Sequence, residues 1–108
     1  MKTTLLLNKN FELKNTNFKK EITGVISSDL LSLVMGKGIE GNILVTIQNN
    51  LNSIAVASLL ELSAIIITYG YNVDEQFLKR AEAEEITVFT TYLSTADVIV
   101  KLKEFDLL

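Results

Sequence analysis

Apolar and polar residues fall in short blocks along this chain, and the blocks carry two different periods. Residues 11–14 and 21–27 read as two early strands, with the turn signal Asn15-Thr16-Asn17 between them. Residues 29–35 predict a short helix, opened by Ser28 or Asp29 and stopped by Gly36-Lys37-Gly38. Residues 42–48, with β-branched Val45 and Ile47, predict a third strand, and Asn50 or Asn52 caps a helix running to about Leu62. The unbroken Ile65-Ile66-Ile67 inside residues 64–68 marks a central strand buried on both faces. Asp74 caps a helix over residues 75–85 whose inner stripe is Phe77, Leu78 and Ala81. Residues 87–90 form the last strand, and Ser94 caps a final helix with the stripe Val98, Leu102 and Phe105.

From Val25 onward strand and helix alternate four times with short links. That rhythm predicts βαβ units: an α/β three-layer sandwich, its mostly parallel sheet of about five strands flanked by helices, in one domain over residues 1–108. Two helices depart from the usual one-sided pattern. In residues 30–35 only Ser32 is polar, and in the helix ending near Leu62 one face is Ile54, Ala55, Ser58 and Leu62 while Val56 and Leu60 opposite are also apolar. A helix apolar all round must bury its second face. Either a second copy covers it, making a homodimer with Leu30, Val34, Met35, Val56 and Leu60 in the interface, or the N-terminal segment folds over one of these helices.

Composition then narrows the chemistry. The chain is 48% hydrophobic and carries a net charge of -3, with Lys19-Lys20 its one basic pair, so a core is available and nucleic acid is not an expected partner. Cysteine and histidine are both absent, which removes disulfides, thiolate zinc sites, thiol nucleophiles and Ser-His triads. No catalytic group, metal site or cofactor is expected. The apolar run from Leu51 to Tyr69 approaches membrane-span length, but Glu61 interrupts it and its character changes midway, so it reads as a helix followed by a buried strand. Residues 1–7 lack the form of a signal peptide, and the expected location is cytoplasmic.

In a parallel sheet, ligands bind at the rim formed by the strand C-termini. Here that rim gathers Ser28, Asp29, Gln48, Asn50, Asn52, Tyr69, Gly70 and Ser94, beside helix N-termini that suit anions. A phosphate-bearing or adenine-nucleotide ligand, with Tyr69 or Tyr71 as a stacking surface, fits this set. Helix capping alone also accounts for Ser28, Asp29, Asn50, Asn52, Asp74 and Ser94, and a turn accounts for Gly70. Gly36-Lys37-Gly38 follows a helix and lacks the phosphate-loop pattern, and Glu82, Glu84 and Glu85 beside Lys79 and Arg80 read as a solvated face.

The stretches Ile65-Ile66-Ile67-Thr68-Tyr69-Gly70, Asp74-Glu75 to Ala81, and Ile86-Thr87-Val88-Phe89-Thr90-Thr91-Tyr92-Leu93-Ser94-Thr95 resemble the non-catalytic N-terminal domain of bacterial HPr kinase/phosphorylases. Over roughly residues 19–102 the chain is similar to the DRTGG domain family, most visibly in Ser28 to Gly36 and in Thr46 to Ser58. The naming motif is partly kept: Thr23-Gly24 match its Thr-Gly, while Lys19-Lys20 stand for its Asp-Arg and Val25 for its second glycine. The resemblance implies a regulatory or assembly module without catalysis of its own, often dimeric and able to engage a partner protein. In members joined to CBS domains it implies regulation by adenine nucleotides.

Overall fold

A computed structural model of the chain describes residues 2–105. Five strands form one sheet in the order β1-β5-β4-β3-β2, where β1 is Glu12–Leu13, β2 Gly24–Ser27, β3 Asn42–Thr46, β4 Ala64–Ile67 and β5 Thr87–Thr90. Strands β2 to β5 run parallel, and the short β1 pairs antiparallel with β5. Four helices connect or follow them: α1 (Leu31–Lys37), α2 (Leu51–Leu60), α3 (Glu75–Ala83) and α4 (Thr95–Glu104).

The register lays side chains in rows that alternate between the two faces. Ile26, Leu44, Ile65 and Val88 pair in sequence across the sheet and pack against Val34 of α1, Ile54 and Val56 of α2, and Phe77 of α3. The next row, Val45, Ile66, Phe89 and Leu13, faces the other way, against Val98 and Leu102 of α4. Each crossover from β2 to β5 steps in the same direction, and the right-handedness of such units places α1, α2 and α3 in one layer. The second face receives only α4 from this rhythm. Leu6 in the 3-10 turn Thr3–Leu6, together with Phe11 and Ile22, completes it. The three-layer α/β sandwich read from the pattern is therefore present.

Several boundaries move. Neither Ser28 nor Asp29 caps α1; the cap position is Leu30, without a side-chain hydrogen bond, and the helix continues through Gly36 to Lys37. Helix α2 ends at Leu60 because Glu61 turns left-handed, so Leu62 lies beyond it in the core. Its inner residues are Ser53, Ile54, Val56 and Ala57, while Ala55 faces water. The N-terminal segment does not cover α1 or α2: it serves the opposite face of the sheet.

The link from β1 to β2 crosses from one sheet edge to the other along the N-terminal ends of the parallel strands. Asn15 anchors its start, donating Nδ2 to the Ile86 carbonyl and accepting at Oδ1 from the Val88 N–H, both at 2.8 Å. The Phe18 N–H donates to Thr87 Oγ1, and Ser63 Oγ donates to the Glu21 carbonyl. At the far end the Thr23 N–H donates to the Gly41 carbonyl, and Thr23 Oγ1 donates to Glu40 O and accepts from Asn42 Nδ2. Gly41 has φ +85°, and a β-carbon there would stand 2.6 Å from Thr23 Cγ2. The Thr23-Gly24 pair thus joins the start of β2 to the start of β3. Replacing Asn15 with Ala leaves two backbone groups of the β5 region without partners. The expected loss is about 2 kcal/mol, read as a lower urea midpoint with an unchanged slope.

Candidate functional site

The rim residues read from the sequence divide into two groups. At the ends of β2 and β3, Asp29 Oδ1 accepts from Thr46 Oγ1 and from the Ile47 N–H, both at 3.0 Å, and Gln48 Nε2 donates to the Asp29 carbonyl at 2.8 Å. Gln48 Oε1 accepts from Asn50 Nδ2, and Asn50 Oδ1 caps α2 through the Asn52 N–H. Ser28 Oγ accepts from the Leu30 N–H. These side chains spend their hydrogen bonds on one another and on the backbone, so Asp29, Gln48 and Asn50 act as the brace that holds the two strand ends together. Asn52 stands exposed inside the first turn of α2, and Asn50 is the cap.

The second group lies at the ends of β4 and β5. Ser94 Oγ caps α4 through the Asp97 N–H. Tyr69 and Gly70 both adopt left-handed backbone, with φ of 62° and 73°, and their N–H groups donate to the carbonyls of Leu93 and Thr91. Gly70 borders a cavity of roughly 350 Å³ whose wall includes Lys9, Asn10, Tyr71, Asn72 and Tyr92. Lys9, Asn10, Asn72 and Tyr92 were not among the residues singled out from the sequence. Lys9 and Asn10 reach the rim only because the N-terminal segment returns to β5, with Thr91 Oγ1 donating to the Asn10 carbonyl. The visible sequence signal was that all three tyrosines fall between residues 69 and 92.

A second cavity, of roughly 440 Å³, opens at the opposite rim, where Lys20, Glu40, Glu61, Ser63 and Glu84 gather. Its carboxylates lie near helix C-termini, a negative setting unsuited to anions. Glu40 is held above its ordinary carboxyl value by Glu61, through a shared hydrogen bond and like-charge repulsion. Among the described residues no group of three or more acidic side chains could hold a metal ion, and no helix is long and apolar enough to cross a membrane.

The expected interface residues are also rearranged. Val34 is fully buried and Val56 nearly so, inside this chain's own core, and Leu60 packs against that core. Leu30 and Met35 do face outward, joined by Leu33 and Ile39 near α1 and by Leu51 and Leu59 on α2. The exposed stripe of α2 is Leu51, Ala55 and Leu59, spaced four residues apart and without charge. Helix α2 is the middle helix of its layer, flanked by α1 and α3, which accounts for three of its apolar sides. It does not account for the fourth.

A family model described as the DRTGG domain matches residues 5–105. The chain belongs to the DRTGG domain family. Among solved structures, this DRTGG chain is similar to the crystal structure of the CBS and DRTGG domains of the regulatory region of Clostridium perfringens pyrophosphatase, complexed with its activator diadenosine tetraphosphate. The identity is 22%, the TM-score 0.65, and the match covers 83% of this chain and 41% of that one. This DRTGG chain therefore spans about two fifths of that structure's length, and what the two share is a fold. No curated protein matches it. Within this DRTGG chain the kept Thr-Gly of the naming motif is accounted for by the β2–β3 junction described above.

Two outcomes follow from this geometry. Asp29→Ala should lower stability by about 1–2 kcal/mol in urea unfolding. Because the folded state raises the Glu40 value, it favours the protonated form, and that contribution fades as pH rises through the Glu40 titration. Glu61→Gln should return Glu40 toward the ordinary carboxyl range, observed by NMR titration of the side-chain carboxyl carbon.

Proposed function

We propose that this chain is a non-catalytic regulatory module that works as a homodimer through the outward face of α1 and α2. The observation that carries the reading is the uncharged stripe Leu51, Ala55 and Leu59 on a helix whose other sides are already buried. Leu30 and Leu59 leave 61% and 69% of their surfaces in water, a poor arrangement for a lone copy. Leu33, Met35, Ile39 and Leu51 add to the exposed apolar surface of α1, α2 and the turn after α1. A second copy suits this face better than a charged partner, since the centre of a self-complementary patch lacks charge. The absence of cysteine and histidine supports the non-catalytic part. A module of this kind acts within the cytoplasm on a partner protein.

A second reading adds a ligand. The regulatory region of the Clostridium perfringens pyrophosphatase shares this fold and binds diadenosine tetraphosphate as an activator. By analogy, this module senses an adenine nucleotide or a related phosphate at the C-terminal rim of its sheet.

Sedimentation tests the assembly. The native chain should sediment as a dimer at micromolar concentration, and Leu59→Asp, at an exposed position, should give a folded monomer with an unchanged far-ultraviolet spectrum. A monomeric native chain, or a dimer that survives both Leu59→Asp and Leu33→Asp, would sink the reading.

A further inference from the structure

The geometry points to a specific ligand pocket: we propose that the cavity between the N-terminal segment and the ends of β4 and β5 binds a planar purine ring with an anionic tail, the base stacking on Tyr92 and Tyr71 and the tail meeting Lys9. This rests on the ligand-sensing reading above and gives it a place.

The choice between the two cavities follows from charge. The N-terminal rim sets Glu21, Glu40, Glu61 and Glu84 against one cation, Lys20, and this net negative lining repels a phosphate. The cavity beside Gly70 has Lys9 instead, which makes no ion pair among the described residues, while its acid Glu12 is taken up by Lys14 at 3.3 Å. Lys9 is therefore a free cation at the mouth of a pocket, the arrangement a phosphate tail requires.

The aromatic groups supply the rest. Tyr92 is 91% exposed, so its ring has almost no protein contact to give up on binding. The ring does lie against Gly70: a β-carbon there would stand 2.9 Å from Cδ1 and 3.3 Å from Cε1. The Cδ1–Cε1 edge of Tyr92 thus lies near Gly70 while the side chain as a whole stays open to solvent. Tyr71, two residues after the left-handed Tyr69, borders the same cavity and is about half exposed. Aromatic side chains in such positions stack on bases whatever the base. Asn10 and Asn72 also line the wall, and asparagine side chains carry both donors and acceptors for a ring edge. The backbone is braced to keep this wall in place, since the Asn10 and Asn72 carbonyls accept from Thr91 Oγ1 and Asn49 Nδ2 at 2.6 Å each. A cavity of roughly 350 Å³ is large enough for one nucleoside with its first phosphates.

Amide-resolved NMR titration of the full chain with ATP, adenosine and inorganic tripolyphosphate, each alone, tests the assignment. ATP and adenosine should shift the amides of Gly70, Tyr71, Asn72 and Tyr92, while tripolyphosphate shifts those around Lys9. Tyr92→Ala should weaken adenosine at least tenfold and Tyr92→Phe should restore it, both being at an exposed position that leaves folding intact. Lys9→Ala should weaken ATP and leave adenosine unchanged. Shifts confined to Gln48 and Asn52, or ATP affinity indifferent to Tyr92→Ala, overturn this pocket but keep the ligand-sensing reading. A response to tripolyphosphate alone overturns the base-stacking pocket but keeps the sensing of a phosphate, and no response to any of the three overturns both.

Discussion

Four parallel strands joined by crossovers that all step the same way impose the constraint on which the remaining structure depends. Right-handed connection places every linking helix on one face of such a sheet. The central strands are buried on both sides, as Ile65-Ile66-Ile67 requires, so the other face needs cover from outside the repeating pattern. Helix α4 supplies part of it. Leu6, Phe11 and Ile22 supply the remainder, and their arrival brings β1 to the edge of β5 and sends the β1–β2 link across the N-terminal rim. The segment that precedes the repeating pattern is therefore part of a core layer.

The same constraint separates the two rims. Where helices end and strands begin, the crossing link passes and four glutamates gather with Lys20, so the space between them is acidic. Where strands end and helices begin, Asn50, Asp74 and Ser94 cap α2, α3 and α4 and the tyrosines collect. One layout thus yields a rim for closure and a rim for contact. The outward apolar stripe on α2 belongs to neither, so the proposed second copy and the proposed ligand would not compete for one surface.

The repeating part of the fold was legible because its signals are local. The isoleucine run, the Phe77–Ala81 stripe and the caps Asn50, Asp74 and Ser94 each depend on residues within a few positions. The α1 start was misread because Ser28 and Asp29 look like caps, yet Asp29 is drawn to Thr46 and Ile47 on the neighbouring strand. The face of α2 was misread because a helix apolar all round has no phase, and only its place between α1 and α3 shows which residues point outward. On the rim, local reading found Tyr69, Tyr71 and Gly70 but not Lys9 or Asn10, whose position depends on a contact between opposite ends of the described chain.

That contact also sets an order of events. Asn15 meets Ile86 and Val88, and Asn10 meets Thr91, across separations of 71, 73 and 81 residues. During synthesis, the segment that finishes the second face is made long before its partners and must wait for them. The β2–β3–β4 portion, whose pairings are closer in sequence, has no such delay. Until β5 and α4 have both been made, that second face of the isoleucine strand lacks its cover.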